Sequence, residues 1–349
     1  MKKRLVHCQR PLFLTLLVFY IGLVLFSLFN YRSHCTYTSP ESLVRTHILN
    51  PDKAAHICPI NFDNLDVVHL DIFSEPSFDL IKQRYPHVAL GGQWKPQGCT
   101  SFQKVAIIIP YRNRLHHLKI MLNRIHPLLW KQNIDYQVFL VEQAGNDRFN
   151  RGKLMNVGFY EAMKIGNFDC FVFHDVDLLP ENDKNLYMCD DHLRQLSSAI
   201  DETRYHVMYF NYAGGVIAMK ADSFKKINGY PNSYWGWGNE DDDISARTQE
   251  AGLLITRPPE HIGMFKMVRH VKETRSENGY DGFLGWRGRW MHDGLTNPIT
   301  MNYTVKHLTQ HPLFTNITAD IGPSAGHRID ITKDTTRETF WWFLKFYFP

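Results

Sequence analysis

The sequence has few of the residues that mark non-globular chains, and it has no surplus of charge beyond its first ten residues. Its 349 residues include 22 Gly, 17 Pro and 6 Cys, which excludes collagen-like, low-complexity and disulfide-scaffold proteins. The formal net charge of +4 equals the contribution of Lys2, Lys3, Arg4 and Arg10, so residues 11–349 are neutral overall. A basic surface for nucleic acid is therefore not expected. The 44% hydrophobic content predicts one large globular domain or two small ones.

The segment Pro11–Phe29 lacks charged side chains altogether. A helix of these 19 residues would be about 28 Å long, enough to cross the apolar core of a bilayer. The alternative is a cleaved signal peptide, but residues 28–31 contain no small-residue cleavage site. We therefore expect an uncleaved signal anchor. Because the basic residues precede it, the N-terminus should be cytosolic and the rest of the chain lumenal, as in a single-pass type II membrane protein.

This topology predicts five segments along the chain. They are a cytosolic tail (1–10), the transmembrane anchor (11–29), a stem (30–56), a catalytic domain (57–335) and an aromatic C-terminal tail (336–349). The stem is predicted because its Ser, Thr, Pro, His and charged residues show no sustained apolar period, so it would hold the domain away from the membrane. The C-terminal tail is consistent with a packed strand or with a partner-binding patch.

The cysteines fit an oxidising lumen. Four of them lie in the predicted catalytic domain and are expected to form two disulfides, with three pairings possible: Cys58, Cys99, Cys170 and Cys189. Cys8 and Cys35 flank the predicted anchor on opposite sides, so they cannot pair with each other. The sequons at Asn302 and Asn316 also fit the secretory pathway.

From Val105 onward, the hydrophobic pattern alternates between strands and helices. The predicted elements, in chain order, are a strand at 105–110, a helix at 117–130, a strand at 136–141, a helix at 153–165 and a strand at 170–173. This order predicts an α/β fold whose sheet is covered on both faces. Ligands of such sheets bind beyond the carboxyl ends of the strands, which points to residues 110–114 and 174–177.

Two acidic residues, Asp175 and Asp177, directly follow the third predicted strand. Carboxylates at i and i+2 at a strand end can share a divalent cation with a diphosphate, although acidic turns after strands are common and D-x-D alone is a weak motif. Arg112 and Arg114 have the same two interpretations: a solvated turn, or diphosphate contacts that depend on the metal site.

The segment Tyr234–Asp243, YWGWGNEDDD, is far less common. Asp241–Asp243 could simply start a helix, where acids are favourable at the positive end of the dipole, but this does not explain the neighbouring Trp-Gly-Trp-Gly. Aromatic rings beside carboxylates are typical of sugar-binding sites. Further on, Met267 and His270 place a thioether and an imidazole at i and i+3, a pattern that more often indicates core and surface packing than a metal site.

Taken together, these segments resemble the β-1,4-galactosyltransferases, which are Golgi type II enzymes, over roughly residues 58–322. Seven segments match in the order of the family: VAIIIPYRNR, FNRGKLMNVGF, CFVFHDVDLLP, GGVIAMK, INGYPNSYWGWGNEDDD, KMVRH and DGL. The resemblance implies a GT-A-like nucleotide-sugar fold with a mixed, mainly parallel sheet, preceded by one transmembrane helix. It also implies that Cys58 pairs with Cys99 and Cys170 with Cys189.

The same resemblance assigns roles to individual residues. It implies a Mn²⁺ site at Asp177, Met267 and His270. The residues implied to contact UDP or its sugar are Pro110, Tyr111, Arg112, Arg114, Phe149, Arg151, Asp175, Val176, Gly215 and Trp237. The implied catalytic residues are Asp241, as the base, and Glu240. The residues implied to shape the donor and acceptor sugars are Tyr209, Tyr212, Asp242, Tyr280 and Asp281.

The implied reaction is inverting transfer of galactose from UDP-galactose to a sugar hydroxyl, with terminal GlcNAc of glycoproteins or glycolipids as the acceptor. UDP-GalNAc as donor, xylose as acceptor, and an inactive membrane-anchored glycan-binding homologue are the alternatives. Retention of the diphosphate and metal residues favours the enzyme, because a lectin would not need them.

The sequence differs from the usual family pattern at three positions and in the segment between His270 and Asp293, which is about three residues shorter than expected. Asn239 replaces a Gly in the Trp-Gly-Trp-Gly segment, Ala213 replaces a Phe before Gly214, and Gly279 stands where an Arg is expected. The third change lies beside Tyr280 and leaves the acceptor open. Asn239 is expected to reduce the flexibility of the loop and to be modestly disfavoured if its φ is positive.

Overall fold

A computed structural model describes residues 17–18, 20–22, 35–48, 56–271, 274–275 and 283–324. The strands are β1 Cys35–Tyr37, β2 Gln93–Trp94, β3 Lys104–Tyr111, β4 Asp135–Gln143, β5 Cys170–His174, β6 Leu178–Pro180, β7 Leu193–Gln195, β8 Ala199–Ile200, β9 Val216–Lys220, β10 Ile255–Arg257, β11 Met264–Met267, β12 Thr304–Gln310 and β13 Thr315–Asp320. The α-helices are α1 Pro40–Ile48, α2 Phe78–Arg84, α3 Leu115–Lys131, α4 Arg151–Ile165, α5 Ala221–Lys226, α6 Glu240–Glu250 and α7 Trp286–Arg289. Short 3₁₀ helices lie at Phe62–Asn64, Asp201–Thr203 and Trp290–His292.

Ten strands form one mixed sheet. Its order is β1-β10-β7-β9-β5-β3-β4-β13-β12, with β2 paired to β4. Nine ladders among the described residues join the strands of this sheet, and five of them are parallel. A second, three-stranded sheet has the order β6-β11-β8. The mixed α/β architecture predicted from the sequence is therefore confirmed.

The central strand β3 separates two hydrophobic cores because alternate side chains point to opposite faces of a sheet. Val105, Ile107 and Ile109 lie in the core that α3 covers. Ala106 and Ile108 lie in the core that α4 covers. A strand buried on both faces reads as a continuous apolar run, which is why its position was predictable.

The five elements predicted between residues 105 and 173 are all present. β3, β4 and β5 run parallel, with β3 in the middle, so their carboxyl ends lie at one edge of the sheet. The two disulfides that the resemblance implied, Cys58–Cys99 and Cys170–Cys189, are both present.

The predicted stem differs from expectation over residues 35–48. β1 extends the main sheet by pairing in parallel with β10, and Leu43 of α1 is buried in the core that α3 covers. A strand of three residues is too short to show a hydrophobic period, and tertiary contacts rather than local pattern stabilise it. Such a segment therefore cannot be predicted from periodicity. Part of the segment predicted to be a spacer is therefore packed on the domain.

The predicted anchor at residues 11–29 lies mostly outside the described residues, and the tail at 336–349 lies entirely outside them. Within the part of the chain that is described, no helix is both long enough and apolar enough to cross a bilayer.

Candidate active site

Arg151 is the centre of a charged cluster at the carboxyl edge of the sheet. It begins α4, and its Nε donates to Asp175 Oδ1 at 2.6 Å. Its Nη1 lies 2.8 Å from Asp241 Oδ1 and 3.5 Å from Glu240 Oε1, both in the first turn of α6. Its Nη2 donates to the carbonyl oxygen of Gly215 at 3.3 Å. One guanidinium therefore joins three carboxylates from different parts of the sequence.

The cluster is largely shielded from solvent, and it contains three carboxylates but one guanidinium. The side chain of Arg151 is 12% exposed, that of Asp175 25% and that of Asp241 22%. Burial raises the pKa of Asp241 well above its ordinary value, and Arg151 opposes this effect. The pKa of Asp175 is raised for the same reason. A carboxylate with a raised pKa is a better proton acceptor than an exposed one.

Glu240 supplies the least solvated oxygen of the cluster. The residue is 7% exposed, and its Oε2 has no hydrogen-bond partner among the described residues. A buried acceptor without a partner is uncommon in a folded protein. This oxygen is therefore an unsatisfied acceptor beside the Arg151 cluster.

Gly214 allows Tyr212 and Asp241 to approach the same point. A Cβ atom at Gly214 would overlap both the Tyr212 hydroxyl and Asp241 Oδ2. The next residue, Gly215, has a φ of +78° and is packed against Ser197 and Leu178, so a side chain there would be strained and would clash. The glycine pair thus brings the tyrosine hydroxyl next to the carboxylate.

Asp242 is held by the chain's own side chains. The Tyr209 hydroxyl donates to its Oδ1, and Asn239 Nδ2 donates to its Oδ2 at 3.0 Å. Asn239 has a φ of +73°, which Asn tolerates better than most residues. The rings of Tyr209 and Tyr212 meet edge to face, with centroids 5.3 Å apart. These contacts fix the Asp242 carboxylate on this wall of the site.

Two of the three predicted metal ligands, Asp177 and His270, are in side-chain contact, and Met267 lies on the adjacent strand β11. His270 Nε2 lies 2.8 Å from Asp177 Oδ2, and this hydrogen bond raises the pKa of the imidazole. Met267 of β11 pairs with Leu178 of β6, and Val268 N donates to the Asp177 carbonyl oxygen at 2.8 Å. No group of three or more His, Cys, Asp or Glu side chains in the described ranges could hold a metal ion. The Met267 thioether would have to complete this site.

The residues predicted to contact the nucleotide surround the same edge. Pro110 and Tyr111 end β3, and Val176 lies between the two aspartates of the D-x-D motif. Arg112 has its guanidinium carbon 5.3 Å from the Phe149 ring centroid and donates to the Asp147 carbonyl oxygen.

Arg114 contacts a predicted metal ligand. Its Nη2 lies 3.0 Å from His270 Nδ1 and donates to the Val271 carbonyl oxygen at 3.2 Å. The two arginines after β3 thus point to different parts of the site. Arg112 lies against the segment that follows β4, and Arg114 lies against His270.

Trp237 lies in the loop that precedes α6 and is partly exposed. Its side chain is 45% exposed, its backbone N donates to the Thr274 carbonyl oxygen at 3.0 Å, and the Arg275 guanidinium lies 5.4 Å from its ring centroid. Tyr280 and Asp281, the remaining predicted sugar contacts, lie outside the described residues.

Sequence reasoning missed the role of Asp243. Unlike its three acidic neighbours, Asp243 is fully buried. It accepts hydrogen bonds from Tyr234, Arg247 and Arg289. The i, i+4 spacing of Asp243 and Arg247 could have predicted their pairing on a helix. The contact with Arg289 could not be predicted, because only the fold brings Arg289 close to Asp243.

Two family models and several curated relatives match this chain. A family model described as the N-terminal region of glycosyl transferase group 7 matches residues 58–190, and one described as the N-terminal domain of galactosyltransferase matches residues 194–271. β-1,4-Galactosyltransferase 3 of Cricetulus griseus is 43% identical over 278 residues, which are 78% of this chain and 70% of the relative.

Two solved structures have the same fold. The catalytic domain of Drosophila β-1,4-galactosyltransferase 7 in complex with xylobiose has a TM-score of 0.55 and 28% identity, over 63% of this chain and 94% of that chain. A mutant of the same protein, in complex with manganese, UDP-Gal and xylobiose, has a TM-score of 0.54 and 27% identity over the same shares.

Proposed function

The chain belongs to the β-1,4-galactosyltransferase family, and from this premise we propose that it transfers galactose from UDP-galactose to a sugar hydroxyl with inversion. The proposed product is a β-1,4 linkage to a terminal GlcNAc of a glycoprotein or glycolipid. The observation that carries the proposal is the position of Asp241, which Arg151 holds beside Asp175 at the nucleotide edge of the sheet.

Asp241 is the proposed base. The transferred galactosyl group develops oxocarbenium character, as in glycoside hydrolysis, and the acceptor hydroxyl must lose its proton as it attacks. Asp241 Oδ1 is held by Arg151, while Oδ2 lies over Gly214 and can accept that proton. In this proposal Glu240 Oε2, a buried acceptor with no partner among the described residues, accepts a hydrogen bond from a hydroxyl of either sugar once its side chain turns toward the ligand. A single displacement of this kind requires no nucleophilic carboxylate and inverts the anomeric centre.

Asp177, His270 and Met267 would hold Mn²⁺ in this proposal. They offer oxygen, nitrogen and sulfur donors, a softer set than Mg²⁺ prefers, and a related structure contains manganese and UDP-Gal. When bound, the ion would stabilise the negative charge of the departing diphosphate. Arg112 and Arg114 flank the same edge and would bind phosphate oxygens, because a guanidinium matches their geometry.

We also propose Golgi localisation with residues 11–29 as the membrane anchor. The support is the uncharged run of 19 residues behind a basic N-terminus, together with the two disulfides, which suit an oxidising compartment.

An assay of the full-length chain in detergent tests this function. Residues before Thr36 should be kept, because Cys35 pairs with Ile255 in the main sheet. UDP-Gal and UDP-GalNAc are each offered with GlcNAc, glucose and xylose acceptors. We expect transfer from UDP-Gal to GlcNAc, loss of activity in EDTA, and better recovery with Mn²⁺ than with Mg²⁺. Activity that survives exhaustive chelation would contradict the metal site, and binding of glycans without transfer would favour the inactive homologue.

Tyr212 is expected to select galactose over GalNAc. Its hydroxyl lies beside Asp241 Oδ2 above Gly214, and Ala213 behind it is fully buried in the core that α4 covers. By resemblance, the ring faces C2 of the donor sugar, where GalNAc carries its acetamido group. Tyr212→Leu should therefore raise the ratio of UDP-GalNAc to UDP-Gal rates by about tenfold, which corresponds to about 1.4 kcal/mol.

The control is Tyr303→Leu, which removes a tyrosine whose hydroxyl is bonded to Glu161 instead. Its rate ratio should match that of the wild type, since a ratio does not depend on the folded fraction. Wild-type protein that uses both donors equally would overturn the role of Tyr212 and favour a GalNAc transferase.

A further inference from the structure

Four charged side chains form a compact cluster beneath the first turn of α6. Arg289 Nη2 donates to Asp243 Oδ2 at 2.8 Å, and its Nε donates to Asp293 Oδ2 at 3.0 Å. Arg247 donates to Asp243 through Nε and to the Asp293 carbonyl oxygen through Nη1, the latter at 2.7 Å. Two arginines and two aspartates thus balance each other's charge away from water.

The cluster binds the loop that carries Trp237, residues 232–239, at two points. Asp243 accepts a hydrogen bond from the Tyr234 hydroxyl at 2.9 Å. At the other side, Asp293 Oδ1 accepts from the backbone N of Asn232 at 2.8 Å. Because Arg289 binds both aspartates, it joins the start of this loop to the helix that follows it. Asp243 lies two residues after the proposed base, so movement of this turn would move the base.

Arg289 differs from the other members in exposure. Its side chain is 15% exposed, whereas Asp243 and Arg247 are 0% and Asp293 is 1% exposed. Arg247 still contacts both aspartates when Arg289 is replaced. Replacement of Arg289 should remove the lateral tie and leave the Asp293 carboxylate with Arg247 Nη2 at 3.9 Å as its nearest cation, so the folded fraction is measured alongside the kinetics.

The element that carries Arg289 also forms a side of the site. Trp286 of α7 packs with Phe283 and with Ala246 of α6, and Tyr209 packs against this group. The Tyr209 hydroxyl binds Asp242. Tyr209 and Asp242 are among the residues expected to shape the sugar sites. A shift of α7 would therefore disturb the acceptor side before the nucleotide side.

We propose that Arg289 is a positioning residue that fixes α7 and the Asn232–Asn239 loop against α6, so that the acceptor sugar meets Asp241 in the reactive orientation. This inference rests on the proposed galactosyl transfer. Its effect should appear in acceptor KM and in kcat, because Arg289 binds Asp243, Asp293 and Tyr234, which connect α7 and the loop to α6.

The test compares Arg289→Ala and Arg289→Lys with Arg287→Ala in the full-length chain. Arg287 lies on the same short helix and pairs with Glu250 at 2.6 Å on the surface, 42% exposed, so it controls for changes in α7 itself. We expect Arg289→Ala to raise acceptor KM about tenfold and to lower kcat about tenfold, with UDP-Gal KM within about twofold of the wild type. Arg289→Lys should retain the charge but not the two-branched contact. Its acceptor KM and kcat should therefore lie between those of the wild type and those of Arg289→Ala.

Chemical rescue separates positioning from loss of fold. Guanidinium at millimolar concentration should restore part of the kcat of Arg289→Ala. It should leave the kcat of Arg287→Ala unchanged. Equal increases in donor and acceptor KM, or an activity loss that matches the unfolded fraction in circular dichroism, would overturn the inference. Absence of transfer by the wild type would instead refute the proposed function on which the inference rests.

Discussion

Replacement of Asp241 by Asn is expected to lower kcat by about 10²-fold or more, because an amide keeps the shape of the side chain but cannot accept the proton of the acceptor hydroxyl. Arg151 and Gly214 should still pack against it, so UDP binding should persist. Steady-state transfer and calorimetric titration with UDP in the presence of Mn²⁺ measure the two properties separately.

The pH dependence gives a second readout for Asp241. Burial raises the pKa of this carboxyl group, and only the deprotonated form can act as a base. Wild-type kcat should therefore fall as the pH is lowered through that raised pKa, and the residual activity of Asp241→Asn should lack this acid limb. Glu240→Gln is the matched control on the adjacent residue. If Glu240→Gln abolishes turnover while Asp241→Asn does not, the base has been assigned to the wrong carboxylate.

Arg151→Lys is expected to lower kcat by about 10²-fold, the size of effect seen when one preorganised donor is lost from an active site. The guanidinium binds Asp175 through Nε and Asp241 through Nη1 at the same time. An ammonium group is a compact charge and cannot reproduce this two-branched contact. Steady-state kinetics with UDP-Gal and the preferred acceptor measure the change.

The sign of the accompanying pH shift follows from the same geometry. Arg151 lowers the pKa of Asp241 against the effect of burial, so a weaker contact should move the acid limb of kcat to higher pH. Arg84→Lys provides the control, since Arg84 is exposed and donates to Asn123 at 3.0 Å. A wild-type kcat and pH profile for Arg151→Lys would mean that the arginine does not organise the carboxylates.

The parts of the fold that could be predicted from the sequence are those with a regular hydrophobic pattern. β3 is a continuous apolar run because both of its faces are buried, and α3 and α4 show apolar residues at helical spacing. β1 and α1 were not predicted, since three or nine residues give too weak a period and their partners are distant in sequence. The membrane anchor and the stem boundaries remain predictions.

The acidic run at 240–243 shows where local reasoning stops. The local pattern offered two interpretations, acids at a helix start or acids in a sugar site, and the resemblance assigned roles to Glu240, Asp241 and Asp242 but none to Asp243. The structure separates them: Glu240 and Asp241 contact Arg151, Asp242 contacts Tyr209 and Asn239, and Asp243 is buried against Arg247 and Arg289. On a helix, successive residues point in directions about 100° apart, so each neighbour meets a different part of the fold.

The departures from the family pattern also gain a physical basis from the structure. Asn239 does adopt a positive φ, and its side chain binds Asp242, which a glycine could not do. Ala213 is fully buried. Gly279 lies outside the described residues, so the acceptor stays a prediction from the resemblance.

The central claim is that Asp241 promotes a single displacement at the anomeric carbon of galactose. The most direct measurement is the nuclear magnetic resonance spectrum of the product formed by the wild-type protein from UDP-Gal, Mn²⁺ and a GlcNAc acceptor. The account predicts a β-galactosyl residue linked to O4 of the acceptor, the inverse of the α configuration in the donor. An α-linked product would contradict it. Retention of the α configuration requires two displacements and a nucleophilic side chain, and the proposed mechanism contains neither.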